Sequence, residues 1–148
     1  MASKNSLDNT IKRIFDANIN RTKEGLRVCE EITRFILEDV SLTSALKKIR
    51  HLIDALRKES CMGQDLLEKR SSLTDIGKNI YIHELKRNNI EDIFFANIQR
   101  VKESLRVLEE FSKLKSPKDA IKFKDIRYNI YELEKKIGKK LTLIYRRK

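Results

Sequence analysis

One amide, two guanidinium groups and one carboxylate recur with the same spacing in both halves of this sequence. The planar fork of arginine binds phosphate and carboxylate groups bidentately, so a set of this kind suits an anionic ligand. Acidic side chains nearby are the ligands that Mg²⁺ takes beside a substrate's phosphates. The two sets are Asn18, Arg21, Glu24 and Arg27, and Asn97, Arg100, Glu103 and Arg106. The pattern predicts a polar site for a phosphate or a carboxylate.

These residues belong to an internal repeat. ANINRTKEGLRVCEE (17–31) returns 79 positions later as ANIQRVKESLRVLEE (96–110), with 11 of 15 residues identical. LKKIRHLIDAL (46–56) aligns with FKDIRYNIYEL (123–133), which makes Arg50 and Arg127 equivalent and adds them to the candidate site. A duplicated unit dictates the architecture, and two copies are too few for a solenoid. The repeat predicts a closed bundle with pseudo-two-fold symmetry.

Helical periodicity places part of each polar set inside an apolar stripe. At about 100° per residue, Asn18, Arg21 and Gly25 interrupt the apolar side of the first copy, and the second copy repeats the interruption. Burying such groups without partners costs several kcal/mol, so the repetition predicts an enclosed polar site. The alternative is a structural network in which each arginine pairs with a glutamate such as Glu24 or Glu103. Arg27 lies on the outward face, where solvation explains it equally well.

The scarcity of helix breakers favours long helices, since 148 residues include 4 Gly and 1 Pro. We predict an all-α bundle of four to five helices, built from two helical-hairpin repeats. Ser41, Asn89 and Ser116 are suitable N-caps, and Gly138 is expected to end the last helix. The expected ranges are a single domain over 1–138, with repeat 1 at about 11–58, a linker loop at 59–89 and repeat 2 at about 90–138, and then a basic tail over 139–148.

The loop between the repeats is not duplicated. Its sequence RSSLTDIGKNI (70–80) contains Arg70, Asp75 and Gly77, and a glycine here suits a turn with positive φ. Loops commonly hold functional residues, although an ordinary connector with a glycine turn is the alternative.

Charge and composition weaken several classes of function. The net charge is +11, but residues 134–148 contribute +6 of it, and aromatic residues are 7% with no Trp, so nucleic-acid binding is not expected. No apolar run is long enough for a membrane or resembles a signal peptide. Cys29 and Cys61 lack metal-ligand spacing and are expected to be reduced, buried thiols of a cytoplasmic protein. The apolar and basic end, LTLIYRRK, is open to interpretation as a docked tail, an interface for homo-oligomers or an exposed end.

The segments DANINRTKEGLRVCEEITRF and ANIQRVKESLRVLEEF, with an R-x4-D-[IV]-G loop between them, resemble a known family over about 14–137. It is the helical domain found in front of thiamine-phosphate synthase in some bacteria, a proposed alternative hydroxymethylpyrimidine phosphate kinase. The resemblance implies thiamine biosynthesis, with ATP and Mg²⁺ used to phosphorylate hydroxymethylpyrimidine phosphate to the pyrophosphate. Two departures are evident. Ser71 follows Arg70 where the family usually has Asp, and no synthase barrel is present, so the chain is expected to act alone or with thiamine-phosphate synthase in trans.

The positions that match the family signature are Asn18, Arg21, Glu24, Arg27, Arg70, Asp75, Gly77, Asn97, Arg100, Glu103 and Arg106. If the chain has the family's activity, we expect Arg70 and Asp75 to be the catalytic residues. Arg21, Arg100 and Arg70 are expected to hold phosphates, and Asp75 to bind Mg²⁺ or orient the attacking phosphate oxygen. Asn18 or Asn97 is expected to contact the pyrimidine edge. Three alternatives stay open: a non-catalytic carrier of a pyrimidine phosphate, a chorismate-mutase-like helical enzyme acting on dicarboxylates, and a basic RNA-binding bundle.

Overall fold

The computed structural model describes residues 4–60, 63, 65–79 and 85–146, and within them the chain is helical without strands. A π-helical turn, Ile32–Ile36, extends the first helix, and a 3₁₀ turn, Ser72–Thr74, follows the third. The helices are α1 (Lys4–Glu31), α2 (Val40–Glu59), α3 (Leu66–Lys69), α4 (Ile90–Ser112) and α5 (Pro117–Arg146). The predicted all-α helical bundle is confirmed.

The two copies of the repeat, α1 and α4, pack against each other in the middle of the bundle, with α2 against α1 and α5 against α4. Gly25 permits the close approach, because a Cβ there would lie 2.7 Å from a methyl group of Val101. The equivalent position in α4 is Ser104, whose Oγ lies 2.7 Å from Oγ1 of Thr22. Thr22 is in turn the counterpart of Val101. Equivalent residues therefore exchange partners across the interface, as pseudo-two-fold symmetry requires.

Large apolar side chains fill the interior on both sides of this contact. Phe15 of α1 and Phe123 of α5 meet edge to face, with ring centroids 6.0 Å apart. Full burial of such side chains stabilises the fold by about 1.5–3 kcal/mol each. The largest fully buried side chains are Phe15, Phe94, Phe123, Ile19, Leu26, Leu46, Ile53, Ile98, Leu105, Leu108, Ile126 and Ile130. This shared core fixes the two repeats relative to each other.

Two of the predicted N-caps are confirmed and one is wrong. Asn89 accepts a hydrogen bond from the backbone N–H of Asp92 at 2.8 Å, and Ser116 precedes Pro117 at the start of α5. The cap of α2 is Asp39 and not Ser41, because Asp39 has extended backbone and accepts from the N–H of Leu42 at 2.8 Å. An oxygen that pairs with a free helical N–H decides where the helix begins.

Other predicted boundaries also shift. The sequence offers Ser6 and Asp8 as N-caps of the first helix, but this helix already includes Lys4. The sequence also suggests a short helix from about Gly63 to Lys69, and in the structure this helix begins at Leu66. Leu66 is buried, so packing against the bundle selects this turn.

The prediction that Gly138 ends the last helix is wrong. Helix α5 continues to Arg146, and Leu141, one turn beyond Gly138, is fully buried. Gly138 serves close packing, since a Cβ there would lie 3.2 Å from the ring of Phe95. The expected tail is thus helical as far as Arg146, and its last two residues lie outside the described part of the chain.

No helix in the described part of the chain is both long and apolar enough to cross a membrane. Cys29 is a free, buried thiol, as predicted, and burial together with the charge of Glu134 raises its pKa to about 12. Cys61 and His83 lie outside the described residues.

Candidate functional site

A cleft of about 700 Å³ lies where the first half of α1 faces the segment 70–76. Its lining mixes charged, hydroxyl and apolar side chains. The residues are Thr10, Arg13, Ile14, Asp16, Ala17, Asn18, Asn20, Arg21, Arg70, Ser71, Ser72, Thr74, Asp75, Ile76 and Val107. The unduplicated loop therefore faces Asn18 and Arg21 of the first polar set across this cleft.

One ion pair joins the two walls of this cleft. Nε and Nη2 of Arg70 donate to the two carboxylate oxygens of Asp16, each at 2.9 Å. The Asp16 side chain is buried, whereas that of Arg70 is partly exposed. The hydrogen bonds and the charge of Asp16 raise the pKa of Arg70. Bidentate, charge-assisted pairs of this kind fix geometry as well as adding energy.

A second hollow of about 310 Å³ adjoins the cleft and shares Asn18, Arg21 and Val107 with it. Arg100 and Glu103 of α4 complete this hollow together with Ser104. Arg21 and Arg100 are equivalent residues of the two repeats, and both line this hollow. One guanidinium group approaches it from each copy.

Arg21 and Arg100 form no ion pair with any described residue. Among the described residues, the one hydrogen bond of the Arg21 guanidinium group is to the side-chain oxygen of Asn18, at 3.5 Å. Both arginines are exposed, so the expectation of an enclosed site with buried arginines is wrong. The long side chains reach past the apolar interface to its rim, where they stay hydrated. The expected pairing with Glu24 or Glu103 is also not seen, and both cations remain available to an anion.

The asparagines of the two sets have matching contacts but different surroundings. Nδ2 of Asn18 donates to the carbonyl of Ile14, and Nδ2 of Asn97 donates to that of Ile93, both at 2.8 Å. Asn18 is buried beneath the cleft, while Asn97 lines neither hollow.

Asp75 lies in the loop wall of the cleft and is partly buried. Its Oδ1 accepts a hydrogen bond from the N–H of Gly77 at 2.8 Å, and no described residue engages Oδ2. The expectation of positive φ at Gly77 is wrong, because no described glycine has it. The Asp75 side chain instead closes the turn in the manner of an Asx-turn.

Arg50 and Arg127 lie in the two helical hairpins, away from the cleft. Nε of Arg50 donates to Glu30 at 3.0 Å, and Nη2 of Arg127 donates to Glu109 at 2.9 Å. The two glutamates are buried and are 79 positions apart, so the pairs are equivalent. The structural network that sequence analysis held as the alternative thus exists, but with these residues.

The remaining candidates lie on the outer surface. Arg27 and Arg106 are exposed and pair along their own helices, with Glu31 and Glu110 respectively. Glu24 is exposed and lines neither hollow, whereas Glu103 borders the smaller one. Exposed pairs within one helix contribute at most a few tenths of a kcal/mol.

Sequence analysis did not identify Arg13 and Asp16 as site residues. Arg13 is an exposed cation of the cleft without an ion pair among the described residues. A signal was present in the repeat, since the counterparts of Arg13 and Asp16 in α4 are Asp92 and Phe95. Positions at which the two otherwise matching copies of the repeat differ in charge indicate where one copy has a different function.

The described residues contain no group of three or more His, Cys, Asp or Glu side chains that could hold a metal ion. Mg²⁺ bound through a nucleotide needs only one or two carboxylates, because phosphates and water complete its coordination. The open carboxylate oxygen of Asp75 fits that requirement.

Residues 13–136 match the model of the ThiD2 family. The chain is 38% identical to a thiamine-phosphate synthase of Synechocystis over 134 residues, covering 89% of this chain and 38% of that protein. It is also 38% identical to a thiamine-phosphate synthase of Rhodopirellula baltica, covering 90% of this chain and 37% of the relative.

The chain thus spans little more than a third of the length of the curated relatives it matches. No solved structure matches it. Since the family model covers most of the chain, including most of α1, the loop wall of the cleft and α4, the protein belongs to the ThiD2 family.

Proposed function

We propose that this protein acts in thiamine biosynthesis and transfers a phosphoryl group from ATP to hydroxymethylpyrimidine phosphate. The product is the pyrophosphate that thiamine-phosphate synthase uses. Family membership and the names of the relatives support the pathway. The observation that carries the proposal is the position of Arg21 and Arg100, which reach one hollow from the two repeats and have no ion-pair partner in the described part of the chain.

The site offers what phosphoryl transfer needs, namely positioning and neutralisation of charge. A phosphate oxygen of the pyrimidine monophosphate attacks the γ-phosphorus of ATP, the bond from that phosphorus to the β–γ bridging oxygen breaks, and ADP leaves. Arg21 and Arg100 hold phosphate oxygens in the smaller hollow. Arg70 and Arg13 face the other anion from the larger cleft. Arg21, Arg100 and Arg13, which have no ion-pair partner among the described residues, neutralise much of the charge that two phosphorylated molecules bring together.

Asp75 is the acidic residue that the loop contributes to the site. Its free oxygen is available to Mg²⁺ held by the nucleotide, which would neutralise the β- and γ-phosphates when bound. Asn18 keeps Arg21 in place through its side-chain oxygen, and its own amide is occupied by the Ile14 carbonyl. Asn18 therefore orients the phosphate-binding arginine in this proposal.

A second candidate function is delivery of the pyrimidine phosphate to thiamine-phosphate synthase without turnover. It is favoured by the coverage of the relatives, in which the matched region is one part of a longer chain named for the synthase. A binding domain joined to the enzyme that consumes its ligand would raise the local ligand concentration. The partner in this candidate is a thiamine-phosphate synthase in trans.

A ³¹P NMR time course with purified protein, MgATP and hydroxymethylpyrimidine phosphate tests the proposal. The kinase function predicts ADP and a pyrimidine pyrophosphate, formed at much lower rates by R21A, R100A and D75N. Arg27→Ala is a matched control, because it removes an exposed arginine of α1 that lines neither hollow. Saturable binding of the monophosphate without ADP would support the carrier. Absence of both turnover and binding would refute both functions.

A further inference from the structure

The loop wall of the cleft is connected to the helical bundle mainly by one ion pair. Residues 71–78 make hydrogen bonds only within their own segment, as far as the described residues show. The apolar side chains of this segment contribute little burial, since Leu73 is 84% exposed and Ile76 98% exposed. Arg70, at the start of the segment, is held by both oxygens of Asp16.

Asp16 is an unusual residue to find buried in this place. Its side chain is 9% exposed and lies in the wall of a cleft that otherwise favours anions. A buried carboxylate without compensation costs several kcal/mol and would repel a phosphate. The bidentate pair with Arg70 removes that cost, and Nδ2 of Asn20 donates a further hydrogen bond at 3.3 Å. Its contacts therefore connect Asp16 to the loop.

The second repeat shows what the same position becomes without a loop to hold. The counterpart of Asp16 is Phe95, which packs against Gly138 of α5 instead of forming an ion pair. The helical frame around both positions is otherwise retained, with matching asparagines two residues further along each helix. The acidic residue is thus not required by the repeated fold itself.

We infer that Asp16 is a positioning residue that holds Arg70 and thereby sets the segment 70–77, with Asp75, over the cleft. The inference rests on the proposed function in treating this cleft as the phosphate site. Asp16 does not contact the reacting atoms. It acts by limiting the motion of the loop that carries the acidic group.

Hydrogen exchange measured by mass spectrometry tests this inference without any ligand. In D16N, amides in peptides covering 66–78 should exchange about tenfold faster, because a charge-assisted bidentate contact is lost. Arg70→Ala should have the same effect, and D16N/R70A should add little to either change. Asp16→Glu keeps the carboxylate and should restore much of the protection. D54N is the control, since it breaks the Lys23–Asp54 ion pair, whose residues line neither hollow.

Unchanged exchange in the loop of D16N would overturn the inference, and so would acceleration that is equal in the loop and in α4. The turnover assay distinguishes this failure from failure of the proposed function. If the wild-type protein forms no pyrimidine pyrophosphate but amide exchange in the loop is faster in D16N, the proposed function fails and the positioning role stands. If the wild-type protein is active and D16N leaves both loop exchange and kcat unchanged, only the positioning role fails.

Discussion

The buried pair between Arg127 and Glu109 allows structural arginines to be distinguished from ligand-binding ones. The Arg127 side chain is 10% exposed and that of Glu109 5%. Replacing Glu109 by Leu leaves the guanidinium group buried with the hydroxyl of Tyr131, at 3.2 Å, as a remaining acceptor. Replacing Arg127 by Met in the same molecule removes this buried charge, which has lost its carboxylate partner.

Removing one partner of a buried pair typically costs 3–5 kcal/mol, whereas replacing both by apolar residues is often nearly neutral. Because Tyr131 remains as an acceptor, we expect E109L to lower the free energy of unfolding by about 3 kcal/mol. For a domain of this size that corresponds to a fall in Tm of roughly 6–12 °C. The double variant R127M/E109L should recover most of the lost free energy of unfolding. The equivalent E30L should cost less, since the Arg50 side chain is 18% exposed.

Urea unfolding followed by circular dichroism measures these differences, and binding of inorganic pyrophosphate is measured on the same samples. The double variant should bind pyrophosphate as the wild-type protein does. If E109L lowered the free energy of unfolding by less than about 1 kcal/mol, the structural role of the Arg127–Glu109 pair would be refuted. Loss of pyrophosphate binding in a fully stable R127M/E109L would show that Arg127 contacts the ligand.

Two further predictions concern the core between the repeats. Gly25→Ala should destabilise the protein by up to about 2 kcal/mol, since overpacking costs about 1–3 kcal/mol and the helix gains about 1 kcal/mol from alanine. In the double variant G25A/V101A, the smaller side chain at position 101 should recover part of the lost stability, as measured by urea unfolding. Additive effects of the two substitutions would contradict the close contact of α1 and α4. In a C61S background, Cys29 should react with a thiol reagent at pH 8 about a thousandfold more slowly in the folded than in the unfolded protein, because burial raises its pKa from 9.0 to about 12. The raised pKa stabilises the folded state below about pH 9, and this contribution is lost as the pH rises towards 12. Equal rates of thiol reaction in the folded and the unfolded protein would contradict the burial of Cys29.

The repeat made the architecture predictable, because a duplicated amphipathic segment must bury the same side twice. The helix ends were less predictable where two rules competed. Gly138 has the residue type of a helix stop, yet its lack of a side chain is used for packing against Phe95. Asp39 and Ser41 are both good caps, and only the backbone conformation of the preceding turn selects between them.

The candidate site was predictable as a set of residue types but not as an arrangement. Spacing placed Asn18 and Arg21 on one side of α1, and the structure brings them to the same hollow as Arg100. The spacing could not show that Arg50 pairs with Glu30 instead of binding a ligand. Glu24 and Glu30 are about 9 Å apart along α1, and only the packing of α2 against α1 determines which of them Arg50 reaches. The contact of Arg70 with Asp16 joins residues 54 positions apart, so no local pattern indicates it.

The most direct test of the central claim, that phosphates bind in this cleft, is to map bound pyrophosphate by ¹⁵N–¹H NMR of the full chain. The account predicts saturable shifts that concentrate in residues 70–77 and around Arg21 and Arg100, and that disappear in R21A/R100A while remaining in R27A. Shifts that concentrate instead along the basic end of α5, from Lys135 to Arg146, would contradict it.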